Sequence, residues 1–316
     1  MFRELKFLFT DFYDFFKKDF KLAPYLYTLI IIALSITFVY TSETGKLFGN
    51  GSLPFKNKFI NNILLFGILY YLVCIPTLMM QKQKNLINAK FIFKSAFLII
   101  VLASIDVFSW GKYIEFANFE PLERNYLKKV LWWSKNFMFF LPVIVILRLF
   151  FDRKIPGLYG LCRGNHHIKA YLWLYVIVIP ILIAVAFTPS FLSYYPMGKI
   201  WQFHNLFGNS TVFNYILFEF IYISSFIMVE LIFRGVFVIG MKNHILNYCV
   251  LPMITIYVAL HFGKPLLETI SAAFGGYFLG AIAFQSKHIW GGVFVHAGIA
   301  FTIEFVRLLQ YLILGI

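Results

Sequence analysis

Glu230 and Arg234 lie four residues apart in an otherwise apolar stretch, Met228-Val-Glu-Leu-Ile-Phe-Arg-Gly235. A helix puts residues at that spacing on one face, where the guanidinium holds the carboxylate ionised and each group lowers the other's desolvation cost. Two histidines follow on separate apolar runs: His261 closes Tyr257-Val-Ala-Leu-His261, and His296 sits in Gly291-Gly-Val-Phe-Val-His-Ala-Gly298. A carboxylate with two imidazoles is a set that can activate water, since it offers a base, donors for a developing oxyanion and apolar walls that exclude bulk solvent. The same three side chains, Glu230, His261 and His296, also make an open Glu/His/His zinc set, and spacing alone does not separate the two. Taken singly, a membrane histidine is more plainly a helix-to-helix hydrogen bonder.

The remaining ionisable residues in apolar runs are candidates by default, because each is costly without a partner or a wet cavity. Glu219 precedes Glu230 by eleven residues, on nearly the same helix face but about three turns away. Glu304 and Arg307 are i, i+3 partners, with Arg307 on roughly the face of His296, and read as a pair supporting that helix. Thr302 and Glu304 stand on the same helix as possible assistants. Asp106 reads as an interfacial carboxylate at the end of its span. His166 and His167 sit in a basic loop as solvent or headgroup contacts, and His204, His244 and His288 flank spans. Cys74, Cys162 and Cys249 have neither disulfide-framework nor metal-ligand spacing.

The elements that must position these residues are membrane helices. The 316 residues are 60% hydrophobic and 13% charged, against about 25% charged in soluble domains, so a water-soluble globular fold is excluded. Runs long enough to cross about 30 Å of hydrocarbon occur near 25–42, 59–80, 91–110, 130–151, 170–188 and 212–233. Further helical spans follow at 248–262, 267–286 and 289–314. The expected fold is all-α: a polytopic bundle of eight or nine transmembrane helices behind an amphipathic, interfacial N-terminal helix at 1–23. Residues 24–209 form the N-terminal membrane helices and 210–316 the core that carries the candidate site. The net charge of +14 divides unevenly: residues 1–169 carry 22 basic and 10 acidic side chains, residues 170–316 only 6 and 4. The excess therefore falls at head groups, in loops between spans, and points to membrane lipids as partners and away from nucleic acid. Positive-inside counting favours a cytoplasmic N-terminus, although the 111–129 loop is basic as well.

The order of these residues resembles the CPBP family, the CAAX-protease and bacteriocin-processing membrane endopeptidases. That family's pattern is Glu-Glu-x-x-x-Arg, then aromatic-x-x-x-His, then His-x-x-x-Asn on successive helices. Here the motifs read Val229-Glu230-Leu-Ile-Phe-Arg234, Tyr257-Val-Ala-Leu-His261 and His296-Ala-Gly-Ile-Ala300, with Phe274-Gly-Gly-Tyr-Phe-Leu-Gly280 and Ser286-Lys-His-Ile-Trp-Gly-Gly292 between the last two. The resemblance covers about residues 210–305. It implies an intramembrane endopeptidase in a bacterial-type inner membrane, with Glu230, Arg234, His261 and His296 as site residues, and Tyr257, Glu304 and Arg307 in support. Two positions depart from the pattern: the glutamate assigned the water-activating role is Val229, and the asparagine assigned to the oxyanion is Ala300. A missing general base costs about 10²–10⁴-fold in rate and a missing oxyanion donor about 10²–10³-fold.

Three functions follow as expectations. The first is hydrolysis of a peptide bond in a membrane-associated protein substrate, with Glu230 orienting or activating the water; it requires no cofactor, and zinc on Glu230, His261 and His296 stays open. The second is a catalytically inactive scaffold or partner subunit of a larger membrane-protein complex, for which Val229 and Ala300 argue. The third, an ion path through Asp106, Glu219 and Glu230, lacks the paired broken helices of transporters.

Overall fold

The computed structural model describes residues 2–45, 55–109, 118–162 and 167–315. These are helical throughout, joined by turns and loops, with an isolated bridge between Leu158 and Leu161 as the only strand-like pairing among them. Helix α1 (Phe2–Asp19) is amphipathic, and its apolar face does not lie only against lipid. Leu8, Phe12 and Phe15 pack on Tyr277, Phe278 and Phe284, so the helix straps the outside of the bundle. Its last residue, Asp19, accepts hydrogen bonds from Tyr25 and Asn247, and Tyr25 Oη lies 2.6 Å from Tyr277 Oη. Burial raises the Asp19 carboxyl above the ordinary carboxylate range.

Among the described residues, seven segments are long and apolar enough to cross a membrane. They are α2 (Leu22–Thr41), most of α3 (Phe55–Met80), α5 (Pro121–Phe150), α6 (Ile168–Ala186), the stretch Thr211–Ala259, α10 (Leu266–Ser286) and the helix from Trp290 to Leu314. The run expected near 91–110 forms α4 (Ala89–Val107) but is not among the seven, because it carries Lys90, Lys94 and Asp106. Lys94 is accommodated by Asp152 at 2.7 Å and by the Gly240 carbonyl at 2.9 Å. Local signals set several helix starts. Asn88 and Ser210 accept from backbone N–H groups three residues on, capping α4 and the 211 helix, and Glu120 and Glu123 form a capping box around Pro121. A short helix, α7 (Pro189–Tyr194), lies in the loop after α6.

The Thr211–Ala259 stretch is two helices. Helix α8 (Thr211–Glu230) runs directly into a wide π turn, Leu231–Ile239, every residue of which is buried. The chain then turns at 240–249, where Leu246 adopts a positive φ of 55°, and returns as α9 (Val250–Ala259). All ten residues of α9 are buried. With about 0.8 kcal/mol per buried methylene in aqueous transfer largely absent in lipid, such a helix is held by close packing and interhelical hydrogen bonds. Both are present: Thr255 Oγ1 donates to the Leu69 carbonyl of α3 at 3.2 Å, and α10 approaches closely enough that a methyl group at Gly276 would sit 2.9 Å from the Tyr257 ring. One face of helix α11 (Trp290–Leu309) packs on α6, with Tyr175 Oη 2.6 Å from Thr302 Oγ1. The outer faces of α2 and α6 stay strongly exposed, as Leu26, Leu29, Leu34, Ile177 and Ile181 show, which fits contact with acyl chains.

Candidate functional site

Three elements meet at the centre of the bundle. The end of α8 and its π turn bring Glu230 and Arg234, α9 and the turn after it bring Tyr257 and His261, and α11 brings His296. Glu230 is fully buried, and its Oε1 lies 3.0 Å from Arg234 Nη1 and 3.0 Å from His296 Nδ1. A carboxylate oxygen accepts, so the proton in the second contact belongs on His296 Nδ1, which leaves Nε2 with its lone pair. His296 Nε2 is 3.5 Å from Tyr257 Oη. His261 Nδ1 donates to the Tyr257 carbonyl at 2.8 Å, so this imidazole also keeps Nε2 free of a proton. Tyr257 is the hub: its ring lies 4.4 Å from the Arg234 guanidinium, 4.7 Å from the His261 ring and 6.2 Å from the His296 ring.

A cavity of about 570 Å³ opens on this cluster, lined by Val229, Tyr257, His261 and His296, and on its far side by α5. A smaller one of about 130 Å³ shares the rings of Tyr257, His261 and His296 as a wall and extends along Ala300, Glu268 and Gly276. Glu230 lines neither. It sits behind His296 with Oε2 turned to Gly292, where a methyl group would lie 2.3 Å from that oxygen. One position earlier in the helix, Val229 occupies the cavity wall. Among the described residues no group of three His, Cys, Asp or Glu side chains is arranged to hold a metal ion.

The supporting residues lie elsewhere than their spacing suggests. Glu304 and Arg307 each bind the 187–210 loop in place of pairing across one helix turn. Glu304 accepts from the Met197 and Gly198 N–H groups at 2.8 and 3.3 Å, and Arg307 donates to the Tyr195 and Leu192 carbonyls at 3.1 and 3.4 Å. Backbone groups of a buried loop have no water to turn to, so they recruit whatever charge the adjacent helix presents. Thr302 is occupied by Tyr175 and the Gly298 carbonyl, and neither Thr302 nor Glu304 lines the cavity. Glu219 faces a separate groove between α8 and α11 with Glu304 at its floor. Asp106 does line the cavity, and accepts from Asn62 Nδ2 at 2.6 Å. His167 stacks on Phe7 and His204 lies 3.4 Å from Thr211 Oγ1, both away from the site; His288 meets the Tyr171 ring and lines a small cavity with Glu230, Arg234 and Gly292, and His166 falls outside the described residues.

Several cavity residues were invisible to motif reading. Trp132, Trp133, Lys129 and Asn136 recur at helical spacing on α5, which was the signal available. Tyr194, the last residue of α7, and Met197, in the loop after it, also line the cavity. Tyr194 lies outside the spans, and burial pushes its phenol up to about 12, so it is a neutral hydroxyl at any ordinary pH. Tyr195 donates to Glu268 at 2.8 Å, and Glu268 in turn pairs with Lys264 at 2.7 Å, closing the loop over the smaller cavity.

Residues 211–302 match the family model described as type II CAAX prenyl endopeptidase Rce1-like. This segment is similar to that family, and it contains the three motifs that carried the resemblance. No curated protein and no solved structure gave a match. The chain is accordingly an integral, multi-pass membrane protein with a CAAX-protease-like core. Within that core the three motifs come from the three elements that meet at Tyr257. The two departures from the family pattern have definite places: Val229 faces the larger cavity, and Ala300 packs in an apolar cluster with Tyr222 and Phe226.

Proposed function

We propose that the protein is an intramembrane endopeptidase that hydrolyses a peptide bond of a membrane-associated protein, with histidine taking the role of the missing cavity carboxylate. The observation that carries this reading is the Glu230–His296 contact. A carboxylate buried behind the imidazole holds Nδ1–H and directs the basic Nε2 toward the cavity. In this scheme His296 Nε2 takes a proton from a water that also donates to His261 Nε2, and the resulting hydroxide attacks the substrate carbonyl carbon. In the same scheme the Tyr257 hydroxyl donates to the oxyanion. On collapse of the tetrahedral intermediate the proton returns from His296 to the leaving amine, and the C–N bond breaks. Glu230, held by Arg234, accepts from Nδ1 as His296 becomes positive, so the charge that develops in the transition state meets an acceptor already in place. Neither Glu230 nor Arg234 touches substrate; both are positioning residues.

One observation favours a second reading. With Val229 on the cavity wall and Ala300 in an apolar cluster, the same fold could serve as a silent scaffold in a membrane complex. Purified protein with a membrane-tethered peptide library decides between them. The protease reading expects cleavage that falls about 10²-fold or more in His296→Ala and in His261→Ala. Cleavage unaffected by both variants refutes the proposed chemistry, and no cleavage, together with co-purification of a partner in fixed stoichiometry, supports the scaffold.

A further inference from the structure

The α5 wall of the larger cavity carries charge that water activation does not use. Lys129, Trp132, Trp133 and Asn136 line it at helical spacing, and Lys135 lies beside them. Lys135 is only 4% exposed; its Nζ is 3.2 Å from the centroid of the Trp132 ring and donates to the Asp106 backbone carbonyl at 3.0 Å. Lys129 donates to the Met197 carbonyl and to Gln202 Oε1, both at 3.3 Å. Both ammonium groups are thus bound by neutral oxygens, and among the described residues neither has a carboxylate within ion-pair distance. Of the other charges on the lining, Lys264 pairs with Glu268, Asp106 accepts from the neutral Asn62 amide, and Lys128 adds a further α5 lysine. A cation set in an aromatic wall at a membrane has lost hydration, and here a carboxylate acts on each only from beyond ion-pair distance, Asp106 on Lys135 and Glu304 on Lys129. An entering anion supplies a partner in direct contact. Lysine flanked by tryptophan is moreover the pattern of side chains at headgroup depth, and about 570 Å³ accommodates a headgroup with part of its glycerol.

We propose that Lys129 and Lys135 form a binding site for the phosphate of an anionic membrane lipid, seated with its glycerol against Trp132 and Trp133. The site shares the cavity of His261 and His296, but lipid binding there needs no bond to be cut and is read without cleavage. Its shared chemistry is a phosphate anion, from a lipid headgroup or free in solution. The test uses the full chain in nanodiscs of phosphatidylcholine doped with phosphatidylglycerol, with native mass spectrometry of the lipid retained after extraction. The expected result is selective retention of phosphatidylglycerol, weakened about fivefold by Lys129→Gln or Lys135→Gln alone and about thirtyfold by both together. Retention persists in the Lys129→Arg/Lys135→Arg double variant, which keeps the charges. Displacement by soluble glycerophosphate shows that the free anion suffices, and failure to displace shows that the lipid form is required. Equal retention of the two lipids by the unmodified chain overturns the proposal. So does an equal loss in the exposed-loop control Lys82→Gln/Lys84→Gln, or a preference for an acidic membrane-tethered peptide over phosphatidylglycerol. If the double glutamine variant fails to fold, the single variants and the discrimination by the unmodified chain decide the matter.

Discussion

Gly292→Ala tests whether the buried carboxylate positions His296. A methyl group at residue 292 would lie 2.3 Å from Glu230 Oε2 and 3.0 Å from its Cδ, where ordinary contact begins near 3.4 Å. The carboxylate must therefore retreat by about 1 Å, the difference between 3.4 and 2.3 Å. A carboxylate at the end of a mobile side chain does this at little cost, but this one is fully buried and fixed by Arg234 and His296, both at 3.0 Å. Stretching either contact leaves charge poorly paired in a dry interior, so a destabilisation of about 1–3 kcal/mol is expected, the range for overpacking. A misplacement of about 1 Å in a catalytic constellation costs about 10²-fold in rate. The assays are thermal unfolding in detergent and kcat for the best membrane-tethered peptide. Glu230→Asp added to Gly292→Ala shortens the acid by one methylene and relieves the clash, so the double variant should regain stability relative to Gly292→Ala, a non-additivity that only neighbours show. If Gly292→Ala retains both stability and rate within twofold, the carboxylate is free to move and the positioning argument fails.

Val229→Glu places a carboxylate on the cavity wall beside both imidazoles. An increase in cleavage of about 10²-fold is expected, and a decrease would show that the cavity is tuned for an apolar residue. Lys94→Met should cost about 3–5 kcal/mol by stranding Asp152 among buried groups, whereas Lys94→Met/Asp152→Asn should recover much of that loss in thermal unfolding. Gly160→Ala is expected to destabilise by about 1–3 kcal/mol, since Gly160 has a φ of +91° and its Cβ would lie 2.7 Å from Ile239 on the π turn. Its effect on cleavage should follow the stability loss, because the 152–162 loop buttresses the turn carrying Arg234 without touching the cavity.

The site was legible as residue types because a membrane core tolerates few charges. In residues 170–316 only ten acidic or basic side chains occur, so Glu230 and Arg234 stood out, and their four-residue spacing specified a shared helix face. His261 and His296 could be named but not oriented. Helical periodicity placed Glu219 near the face of Glu230, yet the helix packs so that Glu219 looks into a lipid-side groove with Glu304. The i, i+3 rule joined Glu304 to Arg307, but each is claimed by backbone of the 187–210 loop, more than 90 residues away in sequence. Contacts of that kind have no local signature, because the competing partner is set by where a distant loop folds.

The amino-acid sequence by itself determined the solvent, the helical class and the membership of the central Glu–Arg–His cluster, since apolar run length and the scarcity of charge are properties of the chain. Tertiary structure alone decided which carboxyl position faces the cavity. Glu230 and Val229 are adjacent, so they project about 100° apart around the helix. The packing of α8 against α11 turns Val229 to the cavity wall and puts Glu230 behind the imidazole. Rotation of one helix about its own axis thus separates a carboxylate that would touch water from one that orients the histidine in contact with it, and that rotation is fixed by side chains on three other elements.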